Sequence, residues 1–195
     1  TGIGRATALL FAEEGADVIV NYSRSKDDAE ATAKDVEKLG RKSMAIKADV
    51  SNDSEARSMV DTVVKEFGRL DILVNNAGYT REISYQDLDG VKDEDWDKIF
   101  SINVKGTFNC SRAAIKVMKK QGSGHIINTT SIAGYLGFGS SIPYSASKAA
   151  LINMTKGLAL TQAPEIQVNS VAPGFVKTRW TAGFDKKFEQ GHAEA

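Results

Sequence analysis

Residues 17–48 read DVIVNYSRSKDDAEATAKDVEKLGRKSMAIKA, in which two short apolar runs flank a longer polar segment. The runs at 17–21 and 43–48 have the length and the β-branched content of strands. The segment at 27–39 has a helical period and is followed by Gly40, a residue type that commonly ends helices. A strand, a helix and a second strand in this order predict a parallel β-α-β unit.

The same alternation continues along the rest of the chain. Further strands are predicted at 72–75, 125–129 and 167–171, and further helices at 4–14, 54–67, 94–120 and 144–160, with Gly15, Gly68 and Gly122 closing helices. No repeat and no Pro/Ser-rich linker divides the sequence, so we expect a single domain over 1–195. The pattern is typical of an α/β fold with a parallel sheet and helical crossovers.

The composition limits the kind of partner. Twenty-five Lys and Arg residues balance twenty-five Asp and Glu residues, so no field of one sign would attract nucleic acid or an anionic membrane. No apolar run approaches the roughly 18 residues of a membrane span, and the start lacks a signal-peptide layout. We therefore expect a cytoplasmic protein that binds a small molecule. The single cysteine, Cys110, is interpreted as a small core residue.

Both ends of the sequence lack expected neighbours. The chain opens on the turn Gly2-Ile3-Gly4 with no strand before it, and closes on the polar segment 185–195 with neither a helix nor a closing strand. We expect the chain to be part of a longer one without its first strand and its C-terminal closing elements. An intact mass equal to 21.0 kDa would contradict this hypothesis.

Two segments suggest where a dinucleotide would bind. Gly2, Ile3 and Gly4 at a helix start offer backbone amides to a phosphate, although a turn needed only for packing would look the same. The place of the acid that holds the ribose hydroxyls of NAD is taken by Tyr22. The next residues, Ser23, Arg24 and Ser25, offer hydroxyls and a cation to a 2′-phosphate, which favours NADP(H) over NAD(H). The alternative is a solvated arginine near a helix start.

Two further predicted strands end in candidates for contact with the cofactor. These are Asp49 and Val50 after one strand, and Asn75, Asn76, Ala77 and Gly78 after the next. Open parallel sheets bind ligands at the carboxyl ends of their strands, and small residues leave room for a ring. A ligand-free asparagine-glycine turn is equally compatible with the second group, and Asp49 is either an adenine contact or a helix-entry residue.

The strongest chemical signal is Tyr144-Ser145-Ala146-Ser147-Lys148, preceded by Ser131 at the end of an apolar run. A tyrosine and a lysine four residues apart share one helix face. To act near neutral pH, a phenol needs its pKa moved by about three units, worth roughly 4 kcal/mol, which an exposed ammonium cannot supply. The pair must therefore be desolvated and assisted by other positive charge. The alternative is an ordinary surface lysine beside a half-buried tyrosine.

In this order, the motifs resemble those of the classical short-chain dehydrogenases/reductases over nearly the whole chain. The matching segments are Gly2-Ile3-Gly4, Asn75-Asn76-Ala77-Gly78, Asn103 in an Ile-Asn-Val-x-Gly stretch, the set of Ser131, Tyr144 and Lys148, and Pro173-Gly174 with Val176 and Thr178. Within the family, the chain looks most like 3-oxoacyl-carrier-protein reductases and related ketone and sugar reductases. The resemblance implies a Rossmann-like doubly wound parallel sheet with helices on both faces. The family's first turn glycine would precede residue 1.

The resemblance also implies roles for individual residues. Ser131 would hold the substrate oxygen, and Tyr144 would protonate it as a hydride reaches the carbonyl carbon. Lys148 would lower the pKa of the phenol and bind the nicotinamide ribose, and Asn103 would hold a water that returns the proton. Pro173, Gly174, Val176 and Thr178 would lie on the nicotinamide side. A homotetramer or homodimer built on 94–120 and 144–160 is implied, because these segments have apolar residues such as Phe108, Ala113 and Leu151. The alternative is that all of these residues pack within one chain.

Two other protein classes share parts of this pattern. A dinucleotide-binding regulator would not need the complete set of Ser131, Tyr144 and Lys148, and the sugar-nucleotide epimerases lack the pattern at Asn75–Gly78. His125 and His192 lie far apart in sequence and lack acidic partners at ligand spacing, so we expect no catalytic metal. Trp180 is interpreted either as part of a lid over the nicotinamide or as a half-buried anchor.

Overall fold

A computed structural model describes residues 1–182 of the chain. Within them, helices alternate with five strands that all pair in parallel, which confirms the predicted α/β fold with parallel sheets flanked by helices. The elements group into two compact units. Among the described residues, the first contains Thr1–Asp49 and 175–182, and the second contains Val50–Gly174.

The first unit contains the β-α-β arrangement predicted from residues 17–48. Its elements are α1 (Gly2–Glu13), β1 (Val18–Tyr22), α2 (Lys26–Lys38) and β2 (Ser43–Lys47). The two strands are parallel, with Val18 opposite Ser43 and Tyr22 opposite Lys47. The crossover helix α2 packs on both strands through a buried face that repeats every three or four residues, formed by Ala29, Thr32, Ala33 and Val36.

The second unit is built around a three-stranded sheet. Its elements are α3 (Asp53–Phe67), β3 (Ile72–Asn75), α4 (Asp93–Phe100), a π-helical turn (Ser101–Gly106), α5 (Thr107–Gln121), β4 (Gly124–Thr129), α6 (Ala133–Leu136), α7 (Ile142–Gln162) and β5 (Ile166–Val171). The strand order is β3-β4-β5, with all strands parallel. Because parallel strands end at the same edge, the loops after Asn75, Thr129 and Val171 leave the sheet on one side.

The single helix predicted at 94–120 is wrong in detail, because α4 and α5 are separated by the π-helical turn at 101–106. Such turns often occur at functional sites. Gly106 ends the turn, where a Cβ atom would lie 2.7 Å from Cγ2 of Val50. Glycine therefore allows the start of α5 to approach Val50 closely. The sequence also gave no sign of the four-residue helix α6.

Other local predictions are confirmed. Gly15, Gly40, Gly68 and Gly122 all have positive φ after the helices they close. Cys110 is 2% exposed, and burial raises the pKa of its thiol to about 11, as expected of an unreactive core residue. Among the described residues, we find no helix with both the length and the apolar character required to cross a membrane.

Candidate active site

Ser131, Tyr144 and Lys148 lie at the carboxyl edge of the β3-β4-β5 sheet. Ser131 follows β4 after one intervening residue, and the other two residues belong to the first two turns of α7. Helix α7 begins sharply because Ser141 is extended and its Oγ accepts a hydrogen bond from the Tyr144 amide at 3.4 Å. Pro143 occupies the first turn, where its missing amide hydrogen costs nothing.

The three side chains lie in one neighbourhood. The Ser131 side chain hydrogen-bonds the phenol of Tyr144. The Lys148 Nζ atom lies 5.6 Å from the centroid of the Tyr144 ring, and it donates to the Thr129 carbonyl at 2.8 Å. Ser131 Oγ also accepts from the Ala133 amide at 3.2 Å. The structure thus brings together the hydroxyl, the phenol and the ammonium that the sequence singled out.

Burial dominates the electrostatics of this cluster. It raises the pKa of Tyr144, although the Ser131 hydrogen bond lowers that pKa in part. Burial also lowers the pKa of Lys148 from 10.5 to about 8. The family resemblance implies that Lys148 lowers the pKa of the phenol, but here the ammonium donates to the Thr129 carbonyl and desolvation of the phenol has the larger effect on its pKa. The groups of the chain alone therefore keep Tyr144 protonated at neutral pH, which is the form that donates a proton.

Asn103 lies in the π-helical turn and is 1% exposed. Its Nδ2 donates to the Tyr79 carbonyl at 3.0 Å and to Ser147 Oγ at 3.0 Å, and its Oδ1 accepts from the Tyr79 amide at 2.7 Å. The side chain therefore ties the segment after β3 to α7. This connecting role was not predicted from the sequence, and the proposed role in holding a water stays a prediction.

Asn75 supports the site from within the core. Its Nδ2 donates to Ser111 Oγ at 3.0 Å and to Asn128 Oδ1 at 2.9 Å, and Asn128 in turn donates to Thr155 Oγ1 at 2.9 Å. All four side chains are buried. The network links β3, β4, α5 and α7, and the sequence revealed only its first member because polar residues on different elements have no common spacing.

The remaining candidates of the second unit lie around the same sheet edge. Asn76, Ala77 and Gly78 follow β3 directly, and the loop after β5 is joined to the loop after β4 because the Ile132 amide donates to the Pro173 carbonyl at 3.2 Å. At Gly174, a Cβ atom would lie 3.5 Å from Ile132, an ordinary contact. Val50 is buried, and its carbonyl accepts from Asn109 Nδ2 at 3.0 Å.

The first unit contains the residues predicted to bind the nucleotide end of the cofactor. Gly2 begins α1 with φ of +52°, and a Cβ atom there would lie 3.2 Å from Cγ2 of Thr178. Glycine thus lets the Thr178 side chain pack against the start of the helix. The amides of Gly2, Ile3 and Gly4 belong to the first helical turn, where backbone donors have no partner within the helix.

The loop between β1 and α2 completes this set of donors. Tyr22 ends β1, and Ser23, Arg24 and Ser25 are exposed. Helix amides, two hydroxyls and a guanidinium, with no carboxylate at the strand end, suit the phosphates of a nicotinamide dinucleotide. The donor set of the chain therefore fits such a cofactor. Near the start of α1, Arg5 pairs with Asp35 at 2.7 Å.

Three other residues that the sequence singled out lie at the surface of the first unit. Asp49 and Val176 are exposed, and the Val176 carbonyl accepts from Thr181 Oγ1 at 3.0 Å. Trp180 is 45% exposed. Over residues 1–182 no group of three or more His, Cys, Asp or Glu side chains could hold a metal ion. His192 and the polar segment 185–195 lie outside the described residues.

Comparison with known proteins decides the family, because residues 1–188 match the short chain dehydrogenase family. The chain belongs to the short-chain dehydrogenase family. It is therefore an oxidoreductase, and the Rossmann-like fold implied by its motifs is confirmed. Members of this family use nicotinamide dinucleotides and small-molecule substrates, in agreement with the donor set and the balanced charge described above.

Two kinds of relative illustrate the match. The chain is 42% identical to the 3-oxoacyl-[acyl-carrier-protein] reductase FabG of Staphylococcus aureus, covering 97% of this chain and 76% of the relative. Among solved structures, acetoin dehydrogenase from Enterobacter cloacae superposes with a TM-score of 0.84 at 38% identity, covering 93% of this chain and 71% of the other. A xylitol dehydrogenase with bound NAD+ superposes with a TM-score of 0.86 at 32% identity, covering 97% of this chain and 70% of the other.

Proposed function

We propose that this short-chain dehydrogenase reduces the keto group of a 3-oxoacyl thioester or a similar ketone, with NADPH as the hydride donor. The proposal rests on the hydrogen bond between Ser131 and Tyr144 beside the buried ammonium of Lys148. The similarity to 3-oxoacyl-[acyl-carrier-protein] reductases supports the substrate class. The exposed Ser23, Arg24 and Ser25 support the choice of NADPH.

In this mechanism, Ser131 and Tyr144 act on the substrate oxygen. The reduced nicotinamide supplies the hydride when the dinucleotide is bound. The Ser131 hydroxyl donates to the carbonyl oxygen and stabilises the charge that develops there. The Tyr144 phenol, held protonated by burial, which raises its pKa, gives its proton to the same oxygen.

Lys148 and Asn103 would support the proton transfer. The compact ammonium of Lys148 has three donors, of which one binds the Thr129 carbonyl, so the others can bind the ribose hydroxyls. Its charge also stabilises the phenolate that remains after Tyr144 has donated its proton. Asn103, whose side chain already joins Tyr79 to Ser147, would hold a water that resupplies the proton.

The residues proposed to bind the dinucleotide are distributed along the sequence. Phosphate and ribose contacts are assigned to Gly2, Ile3, Gly4, Tyr22, Ser23, Arg24 and Ser25, ring and ribose contacts to Asp49, Val50, Asn76, Ala77, Gly78, Tyr144 and Lys148, and nicotinamide-side contacts to Pro173, Gly174, Val176 and Thr178. Arg24 provides the most specific test, because a guanidinium binds a 2′-phosphate that NADH lacks.

The catalytic assignment is tested by Tyr144→Phe, which keeps the ring and removes the proton donor. We expect turnover of ketones to fall by about 1,000-fold or more, within the range of general acid and hydrogen-bond catalysis, while the Kd for NADPH changes less than about threefold. Tyr135→Phe is a matched control, because that phenol is 64% exposed. Substantial turnover by Tyr144→Phe would refute the assignment.

A second candidate is the NAD(H)-dependent interconversion of a small polyol or hydroxyketone with the carbonyl compound formed by its oxidation. It is favoured by the similarity to acetoin dehydrogenase and to a xylitol dehydrogenase with bound NAD+. Steady-state assays with both dinucleotides over acyl thioesters, small ketones and polyols would separate the two. If the first proposal holds, Arg24→Ala raises the Kd for NADPH by about tenfold or more and leaves NADH binding unchanged. Equal effects on both would favour the second candidate.

We also propose that the chain forms a homotetramer or homodimer through the helices at 94–120 and 144–160. Ala113 and Leu151 pack inside the second unit, so only part of the apolar surface predicted on these helices is available. Phe108 and Leu160 remain 40% and 84% exposed and would be covered in an assembly. Light scattering measures the state directly, and a mass of one chain at assay concentration would contradict the proposal.

A further inference from the structure

Tyr85 joins the loop after β3 to the beginning of α7. Its hydroxyl donates to the Ser141 carbonyl at 3.0 Å and shares a hydrogen bond with Ser145 Oγ at 2.5 Å. Its ring lies beside that of Phe138, with centroids 5.4 Å apart. The phenol is thus held by polar contacts at its tip and by an aromatic contact along its side.

The residues that Tyr85 contacts flank the catalytic phenol in sequence. Ser141 is the N-cap of α7 and accepts from the Tyr144 amide, and Ser145 comes directly after Tyr144. Tyr85 bonds to a backbone carbonyl and a side-chain hydroxyl of this turn, in addition to the cap that Ser141 Oγ provides for its amides. A bond from Tyr85 to both Ser141 and Ser145 therefore fixes the turn that carries Tyr144.

The loop that carries Tyr85 is itself firmly held. The Ile83 amide donates to the Ser140 carbonyl at 2.8 Å, and Thr80 Oγ1 hydrogen-bonds Ser140 Oγ at 2.6 Å. Arg81 forms an ion pair with the buried carboxylate of Asp95 at the start of α4. Tyr85 is thus attached to a fixed support and can hold the first turn of α7 in place.

We propose that Tyr85 is a positioning residue for the reaction assigned above: its hydroxyl fixes the first turn of α7 and thereby keeps the Tyr144 phenol in register with Ser131. The inference rests on the proposed function. Burial raises the pKa of the Tyr85 phenol, so it is neutral and able to donate at neutral pH. Burial is also the main cause of the raised pKa of Tyr144, and the charge on an ionised Tyr85 would add to that rise.

The test is Tyr85→Phe, which keeps the ring against Phe138 and removes the hydroxyl. Activity is expressed as kcat per mole of bound NADPH, so that chains that fail to fold are not counted. We expect this kcat to fall by about tenfold, a fraction of the roughly 100-fold that a 1 Å misplacement of reacting groups costs. The KM for the ketone and the Kd for NADPH should each change by less than about twofold.

Two further variants separate positioning from a general effect on the loop. Ser84→Ala removes a neighbouring exposed hydroxyl that bonds to Gln86 and should keep the wild-type kcat. Ser145→Ala removes the other partner of the same hydrogen bond. The kcat of the double variant Tyr85→Phe/Ser145→Ala should therefore lie within about twofold of the kcat of the slower single variant. Multiplicative losses in the double variant would overturn the proposal.

A kcat per bound NADPH for Tyr85→Phe within about twofold of the wild type would also overturn it. Failure of the proposed function is recognised separately, because the wild type would then reduce no ketone with NADPH. In that case, the kcat of Tyr85→Phe would be compared with that of the wild type in the nicotinamide-dependent reaction that the wild type does catalyse. A difference in kcat of less than about twofold would again overturn the proposal.

Discussion

Replacing Lys148 by methionine should make the protein more stable and inactive. Lys148 is 6% exposed, and burial lowers the pKa of its ammonium from 10.5 to about 8. A shift of this size corresponds to a cost of about 3 kcal/mol for keeping the charged form in the folded state. Methionine has similar length and no charge, but it leaves the Thr129 carbonyl without its donor, which costs about 1 kcal/mol. The net gain in the free energy of unfolding near neutral pH is therefore about 2 kcal/mol.

The pH dependence identifies the cause. The unfolded chain keeps a proton on Lys148 up to a pKa near 10.5, whereas the folded chain loses it near 8. Between these values the unfolded state binds more protons, so the stability of the wild type rises with pH relative to the variant. The advantage of Lys148→Met is therefore largest below about pH 8 and disappears as the pH approaches about 10.5.

Urea unfolding of both proteins, at one protein concentration and without dinucleotide, measures this difference. At about pH 7 the variant should have the higher midpoint with an unchanged slope, and at about pH 10 the two midpoints should nearly coincide. All other titrating groups are shared, so the difference isolates Lys148. A variant less stable than the wild type at neutral pH, or a difference that is the same at both pH values, would refute the reasoning.

Three further predictions concern other parts of the second unit. Ser131→Ala should lower kcat by about 100-fold or more with little change in NADPH binding, since it removes a donor to the developing oxyanion. Steady-state kinetics of this variant and of the wild type, both of which keep the neighbouring Thr130, would show the difference in kcat. Gly106→Ala should lower the free energy of unfolding by about 1–3 kcal/mol, because its Cβ would lie 2.7 Å from Val50 Cγ2; a thermal midpoint equal to that of the wild type would contradict the packing argument. Asp95→Asn should cost about 2 kcal/mol by weakening the charge-assisted bonds to Arg81. The Arg81 hydrogen bond is the main cause that lowers the pKa of Asp95 from 3.8 to about 2, so this contribution is complete above 3.8 and is lost as the pH falls through about 2. Urea midpoints across that range test it, and a gap between variant and wild type that persists below pH 2 would argue against the ion pair.

Local features of the sequence were sufficient for much of the fold. The two strands and the helix of residues 17–48 form as predicted, and β3 begins and ends at the predicted residues, Ile72 and Asn75. Periodicity and glycine positions act within a few residues, so they can be recognised without knowledge of distant contacts. The π-helical turn at 101–106 was not recognised, and neither was the approach of Gly106 to Val50 at its end, a contact between residues far apart in sequence.

The candidate site shows the same division. The sequence by itself determined the chemical groups of the site, because a phenol and an ammonium four residues apart on a helix must share a face. Only the tertiary structure decided their state: the hydrogen bond from Ser131, the Thr129 carbonyl that holds Lys148, and the burial that raises one pKa and lowers the other. The hydrogen bond from Tyr85 to the Ser141 carbonyl likewise could not be predicted from the sequence. The physical reason is that desolvation and hydrogen bonding depend on which elements pack together, and packing joins residues that no local pattern connects.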